Sequence, residues 1–528
     1  MLPPQIHQFY NLNSHQRCYS QHPKKLDLNP EQYPFDAAYP ALAKNLANST
    51  DPDKRFPSSQ GFDNVACSQR LAPTCGLLKS KPVMARQLFW WPLQVFGKSM
   101  KLNPFWWDID APLITKPCAD EILAEAEFVI VGGGFTGLSA ALTIARQGRS
   151  VVVLDSGNPG FGASTRNGGI CSGNIRPSHS ALSKTYSPAF ADEVYAEGIE
   201  ARVDLAKFCI EENIDCQLQM TGRFTGAMCQ SDYDAQLREV ERLNNIDGHA
   251  AHMVPLADQH NEIVTDLFVG GMVREEIGGY HPGKFFAGLL RTAEAAGVVI
   301  RSNTTVHDII DLTPHKKSVI TDSGTITASK VIIATNAYTG SKERFGQFLR
   351  RRLVPVQSCV IVTEVLGQAK VEALMPSLRM YGNTANLYSY FRPTPDRDRI
   401  LLGSRSKDKI NPSARSVQYL KNRLTRIFPE LSNCAIDYCW LGNVAFTTTR
   451  LPVIFEHDQV FYAAGYAGSG TVWARWMGKK VAETAMGIGN RPSIFSCPPP
   501  TRLPFYDGRP WFMPMINQYF ALKDWWKN

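Results

Sequence analysis

The spacing of hydrophobic residues changes twice within a short stretch near the first quarter of the chain. A continuous apolar run at residues 128–131 predicts a buried strand, and apolar residues three and four apart from Leu138 to Ala145 predict a helix. A second apolar run at residues 151–154 predicts another strand, and Gly148 stands where a helix C-cap is expected. This pattern predicts a β-α-β unit.

Later hydrophobic patterns predict further elements. Helices are expected at residues 193–211, 236–243, 282–297 and from 470 to about 486. Strands are expected at residues 221–228, 299–306, 330–334, 353–364, 386–392, 400–404 and 461–464, with a hairpin at 318–328. From residue 353 the strands follow one another without helices, which predicts an antiparallel sheet. The aromatic tail 511–526 predicts a docked amphipathic helix, with contact to a membrane surface as the alternative.

Residues 1–99 differ in composition from the rest of the chain. They are rich in Pro, Asn, Gln, Ser and His and have neither helical nor strand periodicity. The composition predicts a disordered or dispensable N-terminal extension followed by a working chain at residues 100–528. An alternative is that the working chain begins at Met100.

A glycine cluster stands between the first predicted strand and helix. Its spacing fits G-x-G-x-x-G, in which the glycines allow a tight turn, close approach to a pyrophosphate and close packing of helix on strand. The helix N-terminus offers free N–H groups to an anion, and the acid after the second strand can bond ribose hydroxyls. A βαβ turn without a ligand is the alternative. The predicted nucleotide-binding residues here are Gly132, Gly134, Phe135, Thr136, Gly137 and Asp155.

The sequence has one complete nucleotide fingerprint of this kind. Without a second one for NAD(P)H, the nucleotide is predicted to be a resident cofactor, reduced by an organic substrate. A second glycine cluster, residues 465–470, opens a helix whose N-terminus would stabilise negative charge on the pyrimidine edge of a flavin. We therefore predict FAD, held in part by Gly468, Ser469 and Gly470, although a plain strand-turn-helix remains the alternative.

Bulk properties narrow the classes of protein and partner. The net charge of +8 permits anionic partners, but no dense basic cluster with interleaved aromatics indicates a nucleic-acid surface. No apolar run is long enough to span a bilayer, and the N-terminus lacks the pattern of a secretory signal. Twelve cysteines without a framework spacing are typical of reduced thiols. These features predict a cytoplasmic protein without nucleic-acid partners, integral membrane association or a metal site.

Several segments resemble one known family. They are FGASTRNGG at 161–169, GYHPGK at 279–284, ATNAY at 334–338, VPVQS at 354–358, WLGN at 440–443, RLP at 450–452, GYAGSG at 465–470 and LPFYDGRPW at 503–511. Together they resemble the D-amino-acid-oxidase-like FAD-dependent oxidoreductases, and most closely the gamma-glutamylputrescine oxidase branch. The resemblance runs from about residue 105 to the C-terminus. Thr165 departs from it, since the family often has Gly at that position.

The resemblance implies a fold of class α/β (α+β). A Rossmann-like FAD-binding βαβ domain would be interleaved with a substrate domain built on an antiparallel sheet. We expect the FAD-binding parts at about residues 126–220, 282–345 and 440–490, the substrate parts at 221–281 and 346–439, and a tail at 491–528.

The resemblance also implies further cofactor-binding residues. Val306 would support the adenine, Thr335 would lie near the diphosphate, and the segment at 161–169 would line the diphosphate and ribityl side. Its predicted members are Ser164, Thr165, Arg166, Asn167, Gly168 and Gly169. The flavin is expected to be bound non-covalently.

Three residues are the candidates for catalysis. His281 could accept the proton of the amine, although a structural histidine before a helix-starting proline is the alternative. Tyr390 and Arg392 alternate with Phe391 and so share one face of a strand, where they could meet a carboxylate or amide of the substrate. A surface pair is the alternative. Other candidates for the substrate side are Tyr388, Arg405 and Trp440.

The implied chemistry is oxidation of a C–N bond by hydride transfer from a small amine to flavin N5. The imine would then hydrolyse, and the electrons would pass to oxygen or another acceptor. An amino-acid or sarcosine-type oxidase on the same fold is the nearest alternative. An RNA-modifying flavoprotein and a flavin-bound protein without turnover are alternatives of other classes.

Overall fold

The structure is a computed structural model that describes residues 100–110, 123–246, 248–340, 344–406 and 411–527. The predicted N-terminal extension at residues 1–99 lies outside the described residues. Within the described part, no helix is long and apolar enough to cross a membrane.

Strands and helices are numbered along the chain. The strands are β1 Glu125–Val131, β2 Val151–Leu154, β3 Ile170–Cys171, β4 Arg223–Gly226, β5 Ala251–Val254, β6 Gly271–Arg274, β7 Gly278–Gly279, β8 Val299–Arg301, β9 Val306–Thr313, β10 Lys316–Thr321, β11 Gly324–Ile333, β12 Val354–Thr363, β13 Met380–Asn383, β14 Ser389–Pro393, β15 Ile400–Arg405, β16 Ile436–Phe446, β17 Val453–His457 and β18 Val460–Ala464. The helices are α1 Trp107–Asp110, α2 Phe135–Ala145, α3 His179–Thr185, α4 Pro188–Glu211, α5 Gln230–Leu243, α6 Pro282–Ala295, α7 Arg344–Arg350, α8 Gln368–Leu374, α9 Ala414–Ile427, α10 Gly470–Met486 and α11 Met513–Lys527.

The first sheet has the strand order β17-β18-β11-β1-β2-β8, with β10 and β9 continuing from β11. β1 lies at its centre and pairs in parallel with β2 on one side and β11 on the other, so that Val129 faces both Val152 and Val331. Both faces of these strands are buried, which explains their continuous apolar runs.

α2 is buried on nearly every side because it lies between the first sheet and α10. Close approach on both sides depends on glycine. A Cβ on Gly137 would lie 1.8 Å from the Gly132 carbonyl oxygen, and one on Gly478 would lie 2.3 Å from the Thr136 carbonyl oxygen. The two helices can therefore bring their N-termini close together.

The second sheet has the order β16-β12-β15-β14-β13-β4-β6-β5 and is antiparallel except for the parallel pair β13–β4. One face packs against α8 and α9 through residues such as Ile361, Val371 and Leu424. The other face carries Val360 and Trp440. A mixed sheet with a central parallel β-α-β unit beside a mostly antiparallel sheet confirms the predicted fold class. The predicted domain boundaries stay a prediction.

The sequence-based elements differ from the structure in several places. The strand expected at residues 299–306 is interrupted after Arg301, because the chain turns at Asn303 with a positive φ and Thr304 N–H donates to the Asp155 carbonyl. The helices α8 and α9 were not predicted. The tail forms α11, which packs through Ile516 together with Phe512 just before the helix, whereas Trp526 near its end is exposed.

Candidate active site

A cavity of about 460 Å³ lies at the carboxyl ends of three neighbouring parallel strands. Its wall includes Gly132 after β1, Asp155 after β2 and Thr335 after β11. Crevices at the carboxyl ends of the strands are where open α/β sheets bind their ligands. The volume is in the range of small-molecule and cofactor sites.

The first glycine cluster forms a cradle at this wall. Gly132 has a φ of +108°, and a Cβ there would press on the backbone of Ala334 at 3.1 Å. Gly134 is the N-cap of α2. Because glycine has no side chain that could cap the helix, the polar groups at this end of α2 are backbone N–H groups. Phe135 N–H is directed to the Ser164 hydroxyl at 2.9 Å. A glycine cradle with polar hydrogens fits a diphosphate.

Asp155 is a carboxylate in the cavity wall. Its Oδ2 accepts a hydrogen bond from Gly133 N–H at 2.8 Å, and its Oδ1 accepts one from Gly157 N–H at 2.9 Å. Desolvation raises the pKa of this carboxyl, and the two backbone hydrogen bonds oppose the rise. Each oxygen keeps a further lone pair that could accept a ribose hydroxyl. The position therefore fits the task predicted for it.

The segment at residues 161–169 contributes only part of its predicted set to the cavity. Ser164 and Asn167 line the wall, whereas Thr165, Arg166, Gly168 and Gly169 are not among the lining residues. Thr165 is fully buried, and its hydroxyl donates to the Gly160 carbonyl at 2.7 Å. These four residues therefore help to hold the conformation of the segment without lining the cavity.

Three tryptophans hold this segment. Trp106 Nε1 donates to the Asn167 carbonyl at 2.8 Å, and Trp107 Nε1 donates to the Thr165 hydroxyl at 2.8 Å. From β16, Trp440 Nε1 donates to the Arg166 carbonyl at 2.9 Å. Sequence reasoning missed Trp106 and Trp107, although the aromatic run of residues 105–107 was a usable signal.

The end of the segment is in contact with the second sheet. A Cβ on Gly168 would lie 2.5 Å from the Tyr390 ring, and one on Gly169, whose φ is +67°, would lie 2.2 Å from the Tyr280 carbonyl oxygen. Arg392 donates through one terminal nitrogen to the Gly169 and Tyr280 carbonyls, at 2.9 and 3.1 Å. Glycine is required here because β14 lies directly against the segment.

The second glycine cluster closes the opposite wall. Gly468 and Gly470 line the cavity, as do Val306 and Thr335, whereas Ser469 is the N-cap of α10 without a side-chain cap bond. The Thr136 hydroxyl lies 2.8 Å from the Tyr466 hydroxyl, which joins the two glycine clusters. Sequence reasoning missed several polar lining residues, namely Ser156, Thr304, Thr305, Asn336, Tyr338, Asn443, Tyr466 and Thr471.

None of the three predicted catalytic residues is among those that line this cavity. His281 is fully buried, its Nδ1 accepts Lys284 N–H at 3.1 Å, and its ring lies 4.9 Å from that of Trp106. Burial lowers the pKa of His281 to about 4, with the charge of Lys284 as the next cause. Tyr390 and Arg392 contact the glycine segment. Each residue thus has a structural contact that explains its position, and its catalytic role stays a prediction.

The described residues contain no group of three or more His, Cys, Asp or Glu side chains that could hold a metal ion. The donor set of the cavity consists of backbone N–H groups, hydroxyls, amides and one carboxylate. This set suits a dinucleotide with an anionic centre and hydroxyl-bearing sugars. The fold and site together define a dinucleotide-binding protein with a second, mostly antiparallel sheet.

Comparison with known proteins is consistent with this chemistry. Residues 127–484 match the family "FAD dependent oxidoreductase" (DAO). The chain is similar to gamma-glutamylputrescine oxidoreductase of Escherichia coli (strain K12), with 29% identity over 408 residues that cover 75% of this chain and 92% of the relative. It is also similar to the probable oxidoreductase OrdL of Haemophilus influenzae, with 28% identity covering 71% of this chain and 86% of the relative.

Solved structures show the same fold. Glycine oxidase from Geobacillus kaustophilus is similar with a TM-score of 0.60 at 20% identity, covering 70% of this chain and 96% of that chain. Because the family match spans more than half of the sequence, the chain belongs to the DAO family of FAD-dependent oxidoreductases. It is an FAD-dependent enzyme that acts on CH–NH or CH–NH2 donors.

Proposed function

We propose that the chain oxidises the C–N bond of a small amine that resembles gamma-glutamylputrescine, and that the electrons pass to oxygen or another acceptor. The observation that carries the proposal is that both glycine clusters line one cavity at the strand ends. The substrate class is supported by the relative from Escherichia coli, whose length is almost completely matched.

Each part of the cavity has a task in this proposal. The N-terminus of α2 and Ser164 hold the diphosphate, and Asp155 holds the ribose. Val306 supports the adenine, Thr335 lies near the diphosphate, and Gly468 and Gly470 place the N-terminus of α10 at the pyrimidine edge. When bound, FAD accepts the hydride from the carbon beside the amine nitrogen.

We also propose a non-covalent flavin and a division of labour between the sheets. Burial raises the pKa of the Cys171 thiol to about 12, which disfavours the thiolate that a covalent bond would need. The first sheet would bind FAD and the second would bind the substrate. Six cysteines in the described part carry free thiols, which supports a reducing, cytoplasmic compartment; they are Cys171, Cys209, Cys216, Cys229, Cys359 and Cys434.

Anaerobic titration of the purified flavoprotein tests the function. Gamma-glutamylputrescine, putrescine, sarcosine and single amino acids are added in turn, and loss of the oxidised flavin absorbance is followed. We expect the gamma-glutamylated amine to bleach the flavin, and admission of air then shows whether oxygen is the acceptor. Bleaching by amino acids or sarcosine but not by the gamma-glutamylated amine would replace the proposal with an amino-acid oxidase.

The same titration tests the predicted catalytic role of His281. With a pKa of about 4, His281 is unprotonated at neutral pH and is a weak proton acceptor. A His281→Ala variant that binds FAD normally and is reduced at the wild-type rate would exclude His281 from catalysis.

A further inference from the structure

The C-terminal helix α11 has two apolar faces, and one of them packs on the protein. Ile516 on this face is buried in a cluster with Val354 of β12. Asp524, on the last turn, accepts hydrogen bonds from the backbone N–H groups of Asn386 and Leu387 at 2.7 and 2.9 Å. The helix is therefore held against the second sheet near both of its ends.

The opposite face of α11 is apolar and exposed. Its residues recur at steps of three and four, which places them on one side of the helix; they are Met515, Tyr519, Leu522 and Trp526. Two exposed rings lie before the helix, where Trp511 Nε1 donates to the Phe505 carbonyl at 3.4 Å. These six residues are called the exposed tail face below.

The exposed tail face is too large to be incidental. The exposed fraction of its side chains runs from 41% for Met515 to 86% for Trp526. Single exposed hydrophobic residues are ordinary on a protein surface, whereas a contiguous set marks a surface that binds something. The helix is fixed in place by its other face, so the exposed face is presented in one orientation.

Basic side chains border the exposed tail face. A Cβ on Gly508 would lie 2.6 Å from Arg350 Nε, so the end of α7 touches the tail between Phe505 and Trp511. Desolvation, followed by the charge of Arg502, lowers the pKa of Arg352, so these two guanidinium groups lie near one another. The basic residues at this border are Arg350, Arg351, Arg352, Arg502 and Arg509.

The positive charge at this border is poorly balanced. In the part of the chain that the structure describes, an ion pair with an acidic side chain is found for only one of the five arginines. Arg509 Nε lies 3.9 Å from Asp507, and both side chains are largely exposed. Exposed pairs of this kind contribute little, because solvent screens them. The partner of the exposed tail face should therefore be anionic as well as apolar.

Charge also argues against other copies or parts of this chain as the partner. A second copy would meet the face across a two-fold axis and bring its own arginines towards the first set, and like charges in an interface repel one another. Residues 1–99 carry more basic than acidic side chains, so they would meet the same repulsion. An anionic lipid surface attracts arginine and accepts tryptophan and tyrosine rings at the level of its headgroups.

We propose that the exposed tail face lies on the surface of a bilayer that contains anionic lipids. Leu522 and the tryptophan rings would enter the boundary between headgroups and acyl chains, and the bordering arginines would contact lipid phosphates. α11 has 15 residues and is about 22 Å long, shorter than the hydrocarbon core of about 30 Å. The helix therefore lies along the membrane. This surface does not depend on which amine the enzyme oxidises.

Co-sedimentation of the full-length flavoprotein with vesicles tests the proposal. Vesicles of phosphatidylcholine alone are compared with vesicles of equal parts phosphatidylcholine and phosphatidylglycerol. We expect the protein to bind the anionic vesicles more tightly, and added salt to weaken that binding because it screens the attraction between arginine and phosphate. No binding to anionic vesicles at low salt, or equal binding to both kinds, would overturn the proposal.

Leu522→Glu assigns the binding to the exposed tail face. The position is 64% exposed, so the substitution disturbs no core. We expect the lipid concentration for half-maximal binding to rise about 10- to 100-fold, because an apolar contact is lost and a negative charge is added. Leu312→Glu, the same change at a position of β9 that is 56% exposed, is the control and should bind as wild type. Unchanged binding of Leu522→Glu would place the lipid contact elsewhere and overturn the proposal.

Two arginine variants test the charge at the border. Arg502→Gln and Arg509→Gln should each weaken binding to anionic vesicles about fivefold. Arg502→Lys should restore the binding, because attraction to a lipid phosphate needs only the positive charge. Arg291→Gln, at an exposed position of α6, is the control. Glutamine variants that bind anionic vesicles as tightly as wild type would contradict the part assigned to the arginines.

Tryptophan fluorescence tests the orientation of the helix. Vesicles with bromine atoms on the acyl chains quench the rings that approach them. We expect bound wild-type protein to be quenched, and Trp526→Phe to bind but to lose a smaller share of its emission. An equal quenched share in both proteins would place Trp526 outside the bilayer and contradict the orientation.

Sedimentation without lipid separates the bilayer from a second copy of the chain. The association state of the wild-type flavoprotein is compared with that of Leu522→Glu by analytical ultracentrifugation. We expect the same state for both proteins. A wild-type dimer that becomes a monomer in Leu522→Glu would assign the exposed tail face to a second copy and overturn the proposal.

Discussion

The two sheets present different chemical groups to the region where they meet. At the carboxyl ends of the first sheet, the wall includes backbone turns that Gly132 and Gly468 make possible. On the second sheet and beside it, the groups are side chains: guanidinium, phenol and indole. A backbone site tolerates no added atoms, whereas a side-chain site depends on charge and hydrogen-bonding partners. Substitutions beside the first sheet should therefore act through steric conflict, and substitutions on the second sheet through lost charge or hydrogen bonds.

Gly137→Val should have the largest effect, on the backbone side. A Cβ at this position would lie 1.8 Å from the Gly132 carbonyl oxygen, so α2 must move away from the turn that forms the cradle. We expect the purified variant to contain no detectable FAD, measured as flavin absorbance per mole of protein. Gly442→Ala is the control, because its nearest atom beyond its chain neighbours would be 3.4 Å away. Full flavin content in Gly137→Val would break the contrast between the sheets.

Glu276→Gln tests the dependence of the second-sheet side on charge. Glu276 is buried just after β6, where Arg274 Nε donates to it at 2.7 Å and His249 Nδ1 lies 2.8 Å from it. Desolvation alone would raise the pKa of Glu276, but the hydrogen bond with His249 and the charge of Arg274 prevail and lower it to about 2. The variant leaves Arg274 buried without its partner, and we expect a loss of about 3–5 kcal/mol in unfolding free energy at pH 7.

The pH dependence of the Glu276→Gln effect has a definite sign. Because the folded pKa is below the ordinary value of 4.5, the carboxylate stabilises the fold above that pH. Its contribution falls as the pH drops from 4.5 towards about 2. Denaturant unfolding over this range should show wild type and variant converging. Glu294→Gln, exposed on α6, should match wild type throughout. A difference that does not vary with pH would exclude the carboxylate as its source.

Asp155→Ala tests whether a side chain also matters beside the first sheet, because the Asp155 carboxylate lies among backbone N–H groups. Its loss leaves the N–H groups of Gly133 and Gly157 without their acceptor and removes the proposed ribose contact. Hydrogen bonds to a charged group contribute about 1.5–3 kcal/mol, so FAD should bind about 10- to 100-fold more weakly. The dissociation constant is measured by reconstitution of the apoprotein, with the exposed Asp258→Ala as control. An unchanged dissociation constant would show that backbone groups suffice.

Trp107→Phe should have the smallest effect. It removes the N–H that donates to the Thr165 hydroxyl, while that hydroxyl keeps its bond to the Gly160 carbonyl. We expect a loss of about 1 kcal/mol in unfolding free energy, measured with denaturant. The same change at exposed Trp511 should have less effect. If Trp511→Phe is the more harmful substitution, the segment at 161–169 does not depend on the indole.

The backbone side was predictable from sequence because its requirements are local. A tight turn, a helix N-terminus and an acid after the next strand all fall within about thirty residues, and glycine spacing records them. Thr165 and Arg166 were predicted as cofactor-binding residues but are not among those that line the cavity, since spacing does not show which residues of a segment face a cavity. The contact between Arg223 and Tyr388 was beyond prediction, because only strand pairing brings β4 near β14.

The 2.8 Å contact between the hydroxyls of Thr136 and Tyr466 has a consequence for biosynthesis. The first glycine cluster leaves the ribosome early, yet the opposite wall of its cavity, at residues 465–470, is made only near the end of translation. The neighbouring strand β11 is also synthesised long after β1. Such distant pairings close slowly. We therefore expect nascent chains that end before residue 465 to bind no flavin, so that the cofactor enters a chain whose synthesis is nearly complete.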